Sequence, residues 1–216
     1  MDRRLLAVAV VFLLLPLDAI AQSDDTSPAP TSRTVDTATF LSGAALAFVI
    51  HEGGHLVFDE VFDAHPQLQS VHFGPIPFFA IAPTRPLTAR QLFTVASAGF
   101  WTQELTSDLL QPRQRDLRHE HAPFAKGMLA FDILTSIGYA ATAFAQSGPV
   151  QRDTRGMAAA LNVPEPAIGA LILTPAVLEA YRYYRPDSRW AKWATRIAAA
   201  GSVVLVVSAP HSRDNN

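Results

Sequence analysis

From Thr37 onward the chain alternates helix-length apolar stretches with short loops rich in proline and arginine. The apolar stretches cover about Thr37 to Phe62, Thr88 to Leu110, Pro123 to Gln146, Glu165 to Tyr184 and Ser188 to Val207. Boundary residues agree with this division. Thr88 stands where an N-cap belongs, Pro123 and Pro166 fall in first turns, and Asp187-Ser188 precedes the last stretch. Pro112, Gly148-Pro149 and Pro186 supply the stops. Stretches one and three are rich in Ala, Gly, Ser and Thr, which lets helices approach closely in a bilayer. The fifth ends in IAAAGSVVLVVSA and reads as a span of about 20 residues. The second is too polar to read as one. Between the first two, VHFGPIPFFAIAP holds three prolines in thirteen residues, so it predicts an extended or hairpin element. The expected fold is all-α: a helical membrane bundle of about five helices, with a short β-hairpin after the first core helix.

The region before Thr37 has a different pattern. Arg3 and Arg4 precede an apolar run from Leu5 to Leu17, and Ala19-Ile20-Ala21 has the small-x-small form of a cleavage site. Residues 1–21 are therefore read as a secretory signal peptide, the run being short for an uncleaved anchor. QSDDTSPAPTSRTVD, residues 22–36, reads as a flexible linker. The helical domain is expected over 37–209 and a disordered tail over 210–216. An exported N-terminus followed by apolar helices implies an integral membrane protein, placed in a bacterial inner membrane. Orientation is not given by charge, because arginines occupy nearly every loop.

Composition narrows the function. Only 17% of the 216 residues are charged, against about 25% in an ordinary soluble domain, and 49% are hydrophobic. With a formal charge of -2 and no basic or acidic run, nothing points to nucleic acid. The chain has no cysteine, which excludes disulfides, thiolate metal sites and cysteine nucleophiles. Any metal must be held by His, Asp and Glu.

One stretch carries chemistry. In AFVIHEGGHLVF, Ala47 to Phe58, two histidines and a glutamate interrupt an apolar helix, where an ionisable group costs several kcal/mol unless paired, metal-bound or solvated. His51 and His55 are four residues apart and lie on one helical face. That spacing lets both imidazoles reach one Zn2+ ion, with Glu52 displaced round the helix toward a bound water. Zinc brings the pKa of such a water toward neutrality, and a nearby carboxylate takes its proton as it attacks a carbonyl. Gly53-Gly54, each costing about 1 kcal/mol relative to alanine in a helix, suggests either a close approach to the backbone or the tolerance of membrane helices for glycine.

These residues resemble the HExxH helix of intramembrane site-2 proteases, the M50-type zinc metallopeptidases. FGPIPFFAI follows where that family has a membrane-associated β-hairpin, and ASAGFW, Ala96 to Trp101, is similar to its glycine-containing second-helix motif. The resemblance covers about Thr37 to Gln146 and implies that Asp132, the lone acid of the third helix in LAFDILTS, is the third metal ligand. Asp132 is followed by Ile133, without the D-G context of the family. Glu104 and Asp108, four apart in TQELTSDLL, are the alternatives, since a glutamate on a later helix completes the site in many soluble HExxH peptidases.

Other polar residues read as ordinary. His119 and His121 lie in a charged loop, and His65 and His72 in loop or hairpin. A di-iron histidine box needs further H-x-x-x-H motifs, and none exists. EAYRYYRPDSRWAKWATR, Glu179 to Arg196, mixes tyrosines, tryptophans and basic residues as a membrane–water interface selects. QRDTRGMAAALN, Gln151 to Asn162, is a polar turn leading into a short amphipathic piece, with no role read from it.

The expected function is a membrane-embedded zinc metalloendopeptidase with Glu52 as general base, His51, His55 and Asp132 as ligands, and a protein or peptide substrate at the bilayer. The alternatives are a non-catalytic membrane scaffold or inactive relative, and a soluble periplasmic metallopeptidase if the apolar helices form a core.

Overall fold

The computed structural model describes residues 32–73, 76–111 and 116–208. The signal peptide, most of the linker and the 210–216 tail lie outside them. The element order is α1 (Arg33–Val61), β1 (Pro66–Phe73), β2 (Ile76–Pro83), α2 (Ala89–Leu110), α3 (Pro123–Ala145), α4 (Asp153–Leu161), α5 (Glu165–Tyr184) and α6 (Arg189–Ser208). This is the expected helical bundle with a short hairpin after its first helix. The helix added to the five expected is α4, nine residues within the piece to which no role was assigned.

Local chemistry sets the boundaries. α1 starts at Arg33 because the Ser32 hydroxyl accepts the Val35 N–H at 3.3 Å. The last residues of the expected linker are therefore helical. Thr88 caps α2 through a capping box with Gln91. Gln146 and Asn162 close α3 and α4 in the left-handed region, at φ 51° and 54°.

β1 and β2 pair antiparallel, with Pro66 opposite Pro83 at the base and Phe73 opposite Ile76 at the tip. Ala64 O accepts the N–H groups of Thr84 and Arg85, and Arg85 pairs with Asp63. The hairpin is thereby fixed to the end of α1.

α1 packs against both α2 and α3. A methyl group on Gly43 would overlap the Phe124 carbonyl, and one on Gly127 the Phe40 carbonyl. The α1 and α3 backbones thus cross in contact, the use expected of their small residues. One apolar cluster joins Phe93, Ala96 and Phe100 of α2 to Ala140, Met157, Ile168 and Ile172. A second joins Ala47 to Leu110, Leu117, Ala125, Met128 and Leu129.

α1 and α3 are long and apolar enough to cross a membrane, and α4 with α5, bent by 118° at their break, makes a third such segment if counted as one. α2 is not among them, as its polarity predicted. Neither is α6, although the fifth stretch read as a span. Leu41, Val49, Leu134, Ile137, Phe144 and Val177 face outward, while His51, Asp132, Glu179 and Arg182 are buried. Apolar residues outside and ionisable ones inside is the arrangement a lipid solvent favours.

Candidate metal centre

His51 and His55 project from α1 toward α2 and α4. Their Nε2 atoms are 3.2 Å apart, and Asp153 Oδ2, from the first residue of α4, lies 3.5 Å from each. Among the described residues this is the group of His, Asp and Glu whose ligand atoms converge closely enough to share an ion. The spacing can be tested against zinc chemistry. Ligand atoms about 2.0–2.1 Å from a tetrahedral ion lie about 3.3–3.4 Å from one another. The three observed separations bracket that value, and the donor set of two imidazoles and a carboxylate is one catalytic zinc sites use.

Each of the three side chains is held by something specific. His55 Nδ1 is 2.7 Å from the Val95 carbonyl of α2. A carbonyl only accepts, so Nδ1 carries the proton, and in the neutral ring it is Nε2 that would present a lone pair to the cluster. His51 is held by shape. Its ring contacts Phe100 and Phe131 edge-on and stacks on Tyr139 at 6.1 Å between centroids. Gly99 leaves the space for it, because a methyl there would overlap the imidazole. Gly54 serves a second close approach: a Cβ there would come within 2.8 Å of the Ala98 carbonyl, whereas Gly53 faces open space. The two glycines of HEGGH thus have different environments, and Gly54 is the one that lets α1 and α2 meet.

Asp153 depends on its neighbours in sequence. Arg152 donates twice to Glu165 at 2.6 Å and once to the Pro149 carbonyl at 2.9 Å, and Thr154 donates to Glu165 at 2.7 Å. Residues 152 and 154 are both tied to the start of α5, and residue 153 between them turns toward the histidines. Gly156 brings α4 against Ala96 of α2, and Tyr139 lies within electrostatic reach of the Asp153 carboxylate. Glu52, half-buried, follows His51 round the helix, and its carboxylate lies within electrostatic reach of both histidines and Asp153.

The remaining sequence candidates lie elsewhere. Asp132 is buried, but its Oδ2 accepts from Ser107 at 3.1 Å, two turns along α2 from Gly99. Two α3 residues, Phe131 and Tyr139, reach the His51 ring, whereas the Asp132 carboxylate meets Ser107 of α2. The acid brought to the histidine pair is Asp153 rather than Asp132. Glu104 is also outside the cluster, and burial pushes its carboxyl up to about 7 by desolvation. Asp108 pairs with Arg182 at 3.0 Å and Arg196 at 2.9 Å. His65, His119 and His121 are exposed and meet Asp63, Asp116 and Asp36. Asp59, one turn beyond His55 on the same face, is fully buried and not part of the cluster.

Asp153 and Tyr139 were the residues sequence reasoning missed. Asp153 follows the Gly148-Pro149 stop and begins a helix, which is where acids commonly sit for the helix dipole alone. Comparison with known proteins finds no matching family model, no similar characterised protein and no similar solved structure.

Proposed function

We propose that this chain is a membrane-embedded zinc metalloendopeptidase of the bacterial inner membrane, acting on protein or peptide substrates at the bilayer. The observation that carries the reading is the convergence of His51 Nε2, His55 Nε2 and Asp153 Oδ2 at tetrahedral-edge spacing beside Glu52. His51, His55 and Asp153 would hold the metal. Zinc supplies Lewis acidity, lowering the pKa of water and polarising a carbonyl. Glu52 takes the proton from the attacking water and returns it to the leaving amine. The Val95 carbonyl keeps His55 in the ligating tautomer.

The test is metal content and cleavage measured together. Wild-type protein is expected to purify with about one zinc per chain, and His51→Ala or Asp153→Ala to lose it. Glu52→Gln is expected to retain zinc while cleavage of a membrane-anchored reporter falls by at least about a hundredfold, the low end for a general base. Asp132→Asn is expected to keep its zinc. Metal-free wild-type protein after growth and purification in zinc would end this reading.

A second reading, a non-catalytic membrane scaffold, is favoured by one observation: Asp153 at 3.5 Å from both rings also suits a buried ion pair with a protonated histidine. It predicts no change in any substrate or phenotype on Glu52→Gln.

A further inference from the structure

The α5–α6 connection concentrates aromatic and basic side chains that the metal centre does not use. Pro186, Asp187, Ser188, Arg189, Lys192 and Trp193 line a cavity of about 260 Å³, with Arg196 at its edge. Arg196 is held by Asp108 at 2.9 Å. Arg189 and Lys192 have no ion-pair partner among the described residues, and Asp187 is the one acid in the lining. The cavity therefore has a net positive wall.

Its donors are also unused. The Ser188 hydroxyl precedes α6, where a cap belongs, yet it is buried without a hydrogen bond among the described residues. The first backbone bond of α6 runs from Lys192 N–H to Ser188 O at 3.3 Å, so the N–H groups of Arg189 and Trp190, both exposed residues, have no intrahelical partner. An uncapped helix start, two unpaired cations and an idle hydroxyl meeting in one cavity form an anion site. The surroundings fix its level. Tyr184, Trp190 and Trp193 are each about 60% exposed, and amphipathic rings in that number collect at the headgroup layer.

We infer that this cavity binds a phosphate ester anion, supplied by an anionic phospholipid headgroup. Arg189 and Lys192 provide the charge, the α6 first turn and Ser188 Oγ the hydrogen bonds, and Trp193 an apolar wall for the esterified part.

The inference is tested on the full chain in detergent, by native mass spectrometry after exposure to phosphatidylglycerol, phosphatidylcholine or inorganic phosphate. Wild type is expected to retain phosphatidylglycerol about tenfold over phosphatidylcholine, and Arg189→Gln/Lys192→Gln to lose that preference, each cation near a headgroup being worth roughly that order. Ser188→Ala, which leaves the charges in place, is expected to lower retention by a smaller factor and guards against misfolding of the double variant. Displacement of the lipid by millimolar inorganic phosphate would identify a free phosphate as the occupant, and lack of displacement the lipid. Equal retention of both lipids by wild type, or an unchanged preference in the folded double variant, would overturn the inference.

Discussion

Gly99 does for His51 by leaving room what Val95 does for His55 by accepting a hydrogen bond. Neither touches the reacting atoms, and each determines where an Nε2 points. Gly99→Ala is therefore expected to displace the imidazole and weaken zinc affinity about 10- to 100-fold, the range seen when a ligand loses its support; competition with a zinc chelator measures it. Tyr139→Phe removes one hydroxyl within electrostatic reach of Asp153 while keeping the ring stacked on His51, so a smaller loss of up to about tenfold is expected in the same assay. Glu104 shows the opposite case, an acid whose setting favours the neutral form. Its carboxyl, raised by desolvation to about 7, binds more protons folded than unfolded between the ordinary carboxylate value and that point. Stability is thus fully present below the unfolded value and declines as pH rises through about 7. Glu104→Gln is expected to flatten that decline, which thermal unfolding in detergent from about pH 5 to 8 will reveal.

At the scale of elements the decisive piece is α4, nine residues carrying the one acid that faces the histidine pair. Its position rests on the Arg152–Glu165 pair, buried on both sides and bidentate. Glu165→Gln keeps the shape and removes the charge. It is expected to loosen α4, lower zinc affinity by about tenfold or more, and open the Gly148 to Asn162 region to limited proteolysis; equal protease resistance and zinc content would show that α4 holds without the clamp. This element also marks where the sequence stopped being legible. The pairing of His51 with His55 could be read because they share one helix and a spacing of four. The close-packed helices one and three could be read from their small residues, and the hairpin from its prolines. Asp153 is 98 residues beyond His55, so only tertiary packing relates them. Asp132 drew attention because a lone acid in an apolar helix needs a partner, but that partner is Ser107, on another helix face that no local pattern reveals.

For the whole molecule, two independent features describe a chain suited to a bilayer: helices long and apolar enough to cross it, and ionisable groups turned inward. Carbonate washing is expected to leave the protein in the membrane fraction. Chelation is expected to lower its melting temperature, since an ion present at a hundred times its dissociation constant stabilises by about 2.7 kcal/mol, with Asp153→Ala protein unaffected. The 118° break between α4 and α5 carries a further consequence. A continuous helix satisfies its own backbone, but one that ends and restarts at membrane depth leaves amide and carbonyl groups that hydrocarbon cannot serve. Here the chain meets most of that demand itself: the Asn162 and Val163 N–H groups return to the Ala159 and Ala158 carbonyls, the Ala167 N–H reaches the Pro164 carbonyl, and Pro164 and Pro166 have no N–H to satisfy. The bend thus turns the chain while leaving few donors for hydrocarbon to strand.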